Sequence, residues 1–166
     1  MTLAYVALGA NLGDREANLR AALAELKTVG EVRKVATIIE TEPLGAPGQG
    51  RYLNTVCEIE TGLVPEDLLA ACQRIEKKLG REREQETVRW GARLIDLDIL
   101  LYGDEVTDTA GLTIPHPEMA NRCFVLEPLA EIAPDARHPV LKKTAAEMLA
   151  EITPSTLARG EGRGEG

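Results

Sequence analysis

The sequence predicts an α+β fold, in which helices pack on a mostly antiparallel sheet. Three observations support this class: the order of the predicted elements, an aliphatic composition and the chain length. The elements follow the order strand–helix–strand–strand–helix–strand, which is the split βαβ order of a ferredoxin-like sandwich. Of the 166 residues, 44% are hydrophobic and only 3% are aromatic, and a chain of this length buries a sizeable core without disulfides. We expect the helices on one side of the sheet, with extra elements at the C-terminus.

The chain begins with a strand, a helix and a second strand. Residues 2–10, "TLAYVALGA", are apolar at nearly every position, which predicts a central strand. Asp14 can cap a helix over about 15–28. The β-branched residues of 31–41 predict the next strand. Two Pro and three Gly in 42–51 predict a loop, and loops of this length often carry function.

An alternating strand and a second helix follow. Residues 52–61 predict a strand whose even positions share one face: Tyr52, Asn54, Val56 and Glu58. Pro65 at the start and Gly80 at the end bound a predicted helix over 64–80. The charged segment 81–92 is predicted to be a loop.

The C-terminal part is predicted to contain one more strand, two helices and a tail. The strand covers 93–103, a short helix lies near 122–131, and a last helix covers 144–151. We expect a single domain over 1–153 and a disordered tail over 154–166, because the last residues are rich in Gly and poor in apolar side chains.

The charge balance excludes some classes of partner. Lys and Arg number 19 against 27 Asp and Glu, so the net charge is −8. Nucleic acids and anionic membranes are bound by basic surfaces, and we therefore expect neither as a partner. An anionic small molecule stays possible, because a few local arginines can outweigh the overall charge.

The cysteines and the N-terminus indicate a cytoplasmic protein. The cysteines are Cys57, Cys72 and Cys123, and no Cys-x-x-Cys pair is present. This odd number predicts free thiols in a reducing compartment and neither a disulfide framework nor a zinc site. The N-terminus resembles neither a signal peptide nor a membrane span. We expect a cytoplasmic monomer.

Two carboxylates interrupt the apolar stretch "RLIDLDILLYG". Side chains of a strand alternate between two faces, so Asp96 and Asp98 share one face, with Cα atoms about 6.8 Å apart. The opposite face is predicted to belong to the core: Ile95, Leu97, Ile99 and Leu101. The charges therefore do not enter the core.

This aspartate pair suits a metal ion. Two carboxylates this close repel each other unless a cation lies between them. Mg²⁺ takes one or two carboxylates and completes its shell with water and phosphate oxygens, and a pair of metal ions can share such ligands. The alternative is a pair of solvated aspartates on an open sheet face.

Arginines near the pair point to phosphate. Arg89 and Arg93 flank the aspartates, and Arg81 and Arg83 lie in the same predicted loop. Guanidinium groups bind phosphate through paired hydrogen bonds, and carboxylates beside arginines are typical of a phosphoryl-transfer site. The alternative is a solvated loop in which neighbouring glutamates pair with these arginines. A P-loop is absent, and "GANLGD" (9–14) is predicted to be a tight turn between strand and helix.

Taken together, four motifs resemble the 6-hydroxymethyl-7,8-dihydropterin pyrophosphokinases of folate biosynthesis. They are "YVALGANLGD", "TEPLGAPGQGRYLN", "RWGARLIDLDILLYG" and "IPHPEMANRCFVLEPLAEIAP", which extend over residues 2–135. The resemblance implies a ferredoxin-like fold and transfer of pyrophosphate from ATP to the pterin hydroxymethyl group, with release of AMP. It also implies two Mg²⁺ ions.

The same resemblance implies roles for individual residues. Asp96 and Asp98 match the metal ligands. The catalytic arginines are Arg93 and either Arg81 or Arg83, because the loop before Trp90 is about two residues longer here. The pterin side matches Thr41, Leu44, Tyr52, Asn54, Trp90 and Phe124. The ATP side matches Gln73, Glu76, Ile99, Thr113, His116 and Arg122.

Plainer alternatives exist for several of these residues. Phe124 could be a core residue, Gln73 part of a solvated helix face, and His116 a turn residue between prolines. Asp96 could accept the hydroxyl proton instead of serving only as a ligand. At the level of the whole chain, the alternatives are a magnesium-dependent transferase for another nucleotide substrate, and a ferredoxin-like binding module without chemistry.

Overall fold

The computed structural model describes residues 1–11, 13–41, 52–82 and 94–160, and the side chains of these ranges other than 81–82 and 153–160. The helices are α1 (Arg15–Leu26), α2 (Pro65–Glu82), α3 (Cys123–Ile132) and α4 (Ala145–Gly160), with a 3₁₀ turn at Met119–Asn121. The strands are β1 (Thr2–Ala10), β2 (Glu31–Val35), β3 (Ile39–Thr41), β4 (Tyr52–Thr61), β5 (Asp96–Tyr102), β6 (Thr107–Asp108), β7 (Thr113–Ile114), β8 (Arg137–His138) and β9 (Lys143–Thr144).

The central sheet is antiparallel and has the order β2–β4–β1–β5, with β3 also paired to β4. The predicted central position of β1 is confirmed, since it lies between β4 and β5. Ala4, Val6 and Leu8 of this strand are at most 1% exposed. Two small hairpins, β6–β7 and β8–β9, lie outside this sheet.

Helices pack on both faces of the sheet, and each face has its own core. The first core joins one face to α1 and α2 and includes Leu8, Leu19, Ile59, Leu68 and Ile99. The second core joins the opposite face to α3 and α4 and includes Tyr5, Val56, Leu101, Leu126 and Leu129. The α+β class is confirmed, but the expectation of helices on one side is wrong. The C-terminal elements form a third layer, because the second sheet face is apolar enough to need a cover.

A β-bulge changes the facing of one predicted core residue. In the pairing of β1 with β5, Val6 lies opposite Ile99 whereas Tyr5 lies opposite Leu101, so Leu100 is an extra residue. An extra residue reverses the alternation beyond it. Leu101 therefore joins the second core, contrary to the prediction that it shares a face with Leu97 and Ile99.

Element ends differ from the predictions at several places. The predicted cap of α1 is confirmed, because the backbone N–H of Ala17 donates to Asp14 Oδ1 at 3.1 Å. The predicted strand 31–41 is divided into β2 and β3. Gly80 lies inside α2 instead of ending it, since glycine is tolerated within a helix at a cost of roughly 1 kcal/mol. The last helix extends past residue 151 and over the first part of the predicted tail.

Some predictions lie outside the described residues. These are the loop at 42–51 and all but the first two residues of the loop at 81–92, as well as the final residues 161–166. Within the described ranges, none of the helices combines the length and the apolar character needed to cross a membrane.

Candidate active site

A cleft of about 170 Å³ opens over the end of the sheet, on the face that carries the second core. Strands β1, β4 and β5 form its floor, and the segment that leads into α3 forms a wall. Eight of the predicted site residues line it: Thr41, Tyr52, Asn54, Asp96, Asp98, His116, Arg122 and Phe124. The fold therefore brings side chains from distant parts of the sequence into one concavity.

The register of the sheet explains why the floor is polar and open. Gly9 of β1 lies opposite Asn54 on one side and opposite Asp96 on the other. A Cβ atom at Gly9 would lie 3.1 Å from Asn54 Oδ1 and 3.7 Å from Cδ2 of Tyr52. The missing side chain thus leaves space between the amide and the aspartate.

Gly9 is a site residue that the sequence reasoning missed. The sequence analysis placed Gly9 at the end of the strand 2–10 and at the start of the turn 9–14, but gave it no role in the site. In the structure it belongs to β1, and Gly13 adopts a positive φ of 64° in the turn. A signal was present in the strand's alternation. Side chains become smaller along one face from Tyr5 to Ala7 to Gly9, toward the end where the cleft opens.

The aspartate pair lies on the cleft face of β5, as the alternation predicted. Asp96 is half-buried and Asp98 is exposed. Among the described residues, no third His, Cys, Asp or Glu joins them to form a metal-binding cluster. Such a donor set fits Mg²⁺, which readily takes its remaining ligands from water and phosphate oxygens, better than Zn²⁺, which prefers three or four protein ligands.

An amide and two aromatic rings define one end of the cleft. Asn54 is 8% exposed, and its Nδ2 donates to Thr41 Oγ1 at 2.7 Å. This hydrogen bond orients the amide at the cleft floor. Tyr52 lines the cleft from β4 and Phe124 from the first turn of α3, and both rings are half-buried. Phe124 is therefore not simply a core residue.

Contacts from α3 to the sheet hold this wall in place. The backbone N–H and the hydroxyl of Thr37 both donate to the Glu131 carboxylate, at 3.0 and 2.9 Å. Lys34 donates to the carbonyl oxygen of Ile132 at 3.2 Å. The half-buried Phe124 is thus presented by a helix that is anchored at its opposite end.

Cationic and hydrogen-bonding groups lie beside the aspartates. The Arg122 guanidinium lies 5.7 Å from the centroid of the Phe124 ring, within the range of a cation–π contact. The backbone N–H of Glu118 donates to His116 Nδ1 at 3.1 Å. In the neutral imidazole, the proton is therefore on Nε2, which can donate to an anion.

The surroundings of His116 favour this neutral form. Burial lowers the pKa of His116, the nearby Asp98 carboxylate raises it, and Arg122 lowers it further. Desolvation is the largest of these effects, so the net shift is downward. At neutral pH this leaves His116 as a neutral donor beside the Arg122 guanidinium.

Four residues that the resemblance implied for the ATP side do not line the described cleft. Gln73 is exposed on α2, and Ile99 is buried in the first core. Thr113 lies in β7, with its hydroxyl 3.5 Å from Asp108 Oδ1. Glu76 is half-buried and accepts a hydrogen bond from the backbone N–H of Leu97.

The other predicted site residues lie outside the described part of the structure. Leu44, Arg83, Trp90 and Arg93 belong to the ranges that are not described, and of Arg81 only the backbone is described, at the end of α2. The choice between Arg81 and Arg83 is thus open.

Comparisons with known proteins agree on one family. Residues 5–134 match the family model described as 7,8-dihydro-6-hydroxymethylpterin-pyrophosphokinase (HPPK). A 2-amino-4-hydroxy-6-hydroxymethyldihydropteridine pyrophosphokinase of Bacillus subtilis is 52% identical over 132 residues, which are 78% of this chain and 77% of that protein. The protein of the same name from Aquifex aeolicus is 40% identical over 153 residues, which are 92% of this chain and 94% of that protein.

A solved structure supports the fold. The crystal structure of wild-type Plasmodium falciparum HPPK-DHPS matches 96% of this chain with a TM-score of 0.76 at 14% sequence identity. This chain spans just under half of that longer one, 46% of its length. At such low identity the likeness concerns the fold alone, and it agrees with the α+β architecture derived from the sequence.

Proposed function

Because the chain belongs to the 7,8-dihydro-6-hydroxymethylpterin-pyrophosphokinase family, we propose that its cleft holds the pterin and the ATP phosphates side by side. The family's reaction transfers pyrophosphate from ATP to the hydroxymethyl group of the pterin, in folate biosynthesis. The hydroxyl oxygen forms a bond to the β-phosphorus, the bond from that phosphorus to the α-phosphate oxygen breaks, and AMP leaves. The observation that carries the proposal is a single cleft that combines an aspartate pair, a histidine, an arginine and two aromatic rings.

The pterin is proposed to lie at the end with the amide and the rings. Flat heteroaromatic rings stack well between aromatic faces, so Tyr52 and Phe124 would enclose the pterin. The Asn54 amide, oriented by Thr41, would form hydrogen bonds with the polar edge of the ring. Leu44 and Trp90 are proposed to complete this pocket.

The phosphates are proposed to lie over the other end of the cleft. Asp96 and Asp98 would hold two Mg²⁺ ions. When bound, these ions would neutralise phosphate charge and make the pterin hydroxyl more acidic. His116 Nε2–H and the Arg122 guanidinium would each donate to a phosphate oxygen. Donors that are already fixed in the cleft need no reorganisation as charge develops on the leaving group.

The remaining proposed residues serve the leaving group and the nucleotide. Arg93, together with Arg81 or Arg83, would offset charge as AMP departs. The nucleotide side would include Gln73, Ile99 and Thr113.

We further propose that the enzyme is cytoplasmic and monomeric. The free thiols of its three cysteines support the cytoplasm. The large exposed apolar side chains of the described residues are few and come from several parts of the chain, which supports a monomer: Met1, Leu3, Val35, Val64, Val106, Val140 and Leu141.

A product assay tests the proposed function. The protein is incubated with Mg²⁺, ATP and 6-hydroxymethyl-7,8-dihydropterin, and AMP is separated from ADP. We expect AMP to form in step with a pyrophosphorylated pterin. ADP would instead indicate transfer of a single phosphoryl group. The absence of any nucleotide product from folded protein would favour a binding module and contradict the proposal.

A further inference from the structure

Glu76 reaches from α2 to the edge of the sheet next to the aspartate pair. β5 is the last strand in the sheet order and has β1 as its partner. Along such a strand, backbone N–H groups alternate between the partner strand and the open edge. The N–H of Leu97 donates to Glu76 Oε2 at 2.7 Å, so the glutamate supplies the acceptor that a further strand would otherwise provide.

The hydrogen-bonded residue lies between the two aspartates. The peptide unit that contains the Leu97 N–H is planar and extends from the Cα of Asp96 to the Cα of Leu97. The Leu97 side chain is 4% exposed and belongs to the first core. Leu97 is therefore held by the packing of its side chain in the first core and by the hydrogen bond from its N–H to Glu76. These two contacts restrict rotation of the β5 backbone between Asp96 and Asp98.

We propose that Glu76 is a positioning residue that sets the orientation of Asp96 and Asp98 by holding the Leu97 N–H. This inference rests on the proposed function, since the aspartates need a defined orientation only if they bind metal and phosphate. It assigns Glu76 a role other than the direct ATP contact that the family resemblance implied. Glu76 acts through the backbone of β5.

The surroundings of Glu76 support an ordered carboxylate. Its side chain is half-buried, and Cys72, one turn earlier on α2, is 1% exposed in the first core. The pKa of the Cys72 thiol is raised to about 12, mainly by burial and further by the carboxylates of Glu76 and Asp98. Both carboxylates thus raise the pKa of the same thiol, Glu76 from α2 and Asp98 from β5.

Two substitutions separate positioning from other roles. Glu76→Gln keeps a carbonyl oxygen that can accept from Leu97, whereas Glu76→Ala removes the acceptor. Glu66→Ala, at an exposed position in the first turn of the same helix, is the matched control. We expect kcat to fall about tenfold to a hundredfold in Glu76→Ala, because small misplacements of catalytic groups have effects of this size. The KM for ATP is expected to stay within about twofold, and both values should be close to wild type in Glu76→Gln and Glu66→Ala.

A second readout needs neither substrate nor metal. Hydrogen exchange of the Leu97 amide is measured in the free protein, and we expect it to be about tenfold faster in Glu76→Ala but unchanged in Glu76→Gln and in the control. If Glu76→Ala unfolds, Glu76→Met replaces it, because methionine keeps the length and packing but is only a weak acceptor.

Specific outcomes would overturn the proposal. Unchanged exchange at Leu97 in Glu76→Ala would mean that the hydrogen bond does not hold the strand. A raised KM for ATP in Glu76→Ala and in Glu76→Gln, with kcat preserved, would indicate a direct nucleotide contact. A wild-type protein without turnover would contradict the proposed function, whereas the exchange data would still decide whether Glu76 holds β5.

Discussion

Asp98 is exposed on the cleft face of β5, so its role can be tested with little effect on folding. Substitution of an exposed side chain usually changes the free energy of unfolding by less than about 0.5 kcal/mol. Asp98→Asn is expected to lower kcat at least about a hundredfold, the scale on which loss of one electrostatic group acts in an active site. Steady-state kinetics and thermal unfolding check both statements. Asp104→Asn, an exposed aspartate just after the same strand, is the control. Near-wild-type turnover by Asp98→Asn would contradict the metal assignment.

Gly9 offers a second test at the scale of single residues, because its missing side chain keeps the cleft floor open. An alanine Cβ would lie 3.1 Å from Asn54 Oδ1 and would displace the amide. We expect Gly9→Ala to raise the KM for the pterin by roughly tenfold, or about 1.4 kcal/mol of binding free energy, with little change in the KM for ATP. Gly111→Ala, where a Cβ would meet nothing within 4 Å, should change neither value. Equal KM values for the pterin in Gly9→Ala and wild type would mean that the floor does not contact the substrate.

The β8–β9 hairpin contains a buried histidine, His138, whose protonation state makes the stability of the fold depend on pH. The backbone N–H groups of Val140 and Leu141 donate to His138 Nδ1 at 3.3 and 3.1 Å, which requires an unprotonated Nδ1. Burial lowers the pKa of His138 below its usual value of about 6.5. His138 therefore binds a proton more readily in the unfolded chain than in the folded one. Its full contribution to the free energy of unfolding is present above about pH 6.5 and is lost as the pH falls toward the lower pKa of His138 in the folded protein.

The lowered pKa of His138 predicts that the free energy of unfolding changes measurably with pH. The free energy of unfolding should decrease between about pH 7 and pH 5.5 by more in wild type than in His138→Asn. Asparagine can accept the same two hydrogen bonds through Oδ1 but does not titrate. Urea unfolding followed by circular dichroism at several pH values measures this difference. Parallel curves for the two proteins would show that His138 does not contribute to the pH dependence.

The two cores share one sheet, so the whole molecule is expected to unfold as one unit. Leu68 belongs to the first core and Leu129 to the second, and both are fully buried. Leu68→Ala and Leu129→Ala should each lower the free energy of unfolding by about 2–5 kcal/mol. Calorimetry should show a single transition for both. Only Leu129→Ala is expected to raise the KM for the pterin as well, because α3 carries Phe124. Two separate transitions would mean that the layers unfold independently.

Local patterns in the sequence determined much of this protein. The alternation of β4 and β5 was enough to group Tyr52 with Asn54 and Asp96 with Asp98, because neighbouring strand residues must point to opposite faces. Asp14 was recognised as a helix cap for a similarly local reason. The motifs around these residues were also sufficient to predict the family.

Tertiary structure decided what depends on partners distant in sequence. The bulge at Leu100 arises from the register between β1 and β5, so the facing of Leu101 could not follow from alternation. The position of α3 and α4 on the second face follows from α1 and α2 covering the first. Gly9 became part of the cleft only because Asn54 and Asp96 lie on either side of it. Such pairings are set by contacts between separate segments, and the sequence of one segment does not specify which segment becomes its partner.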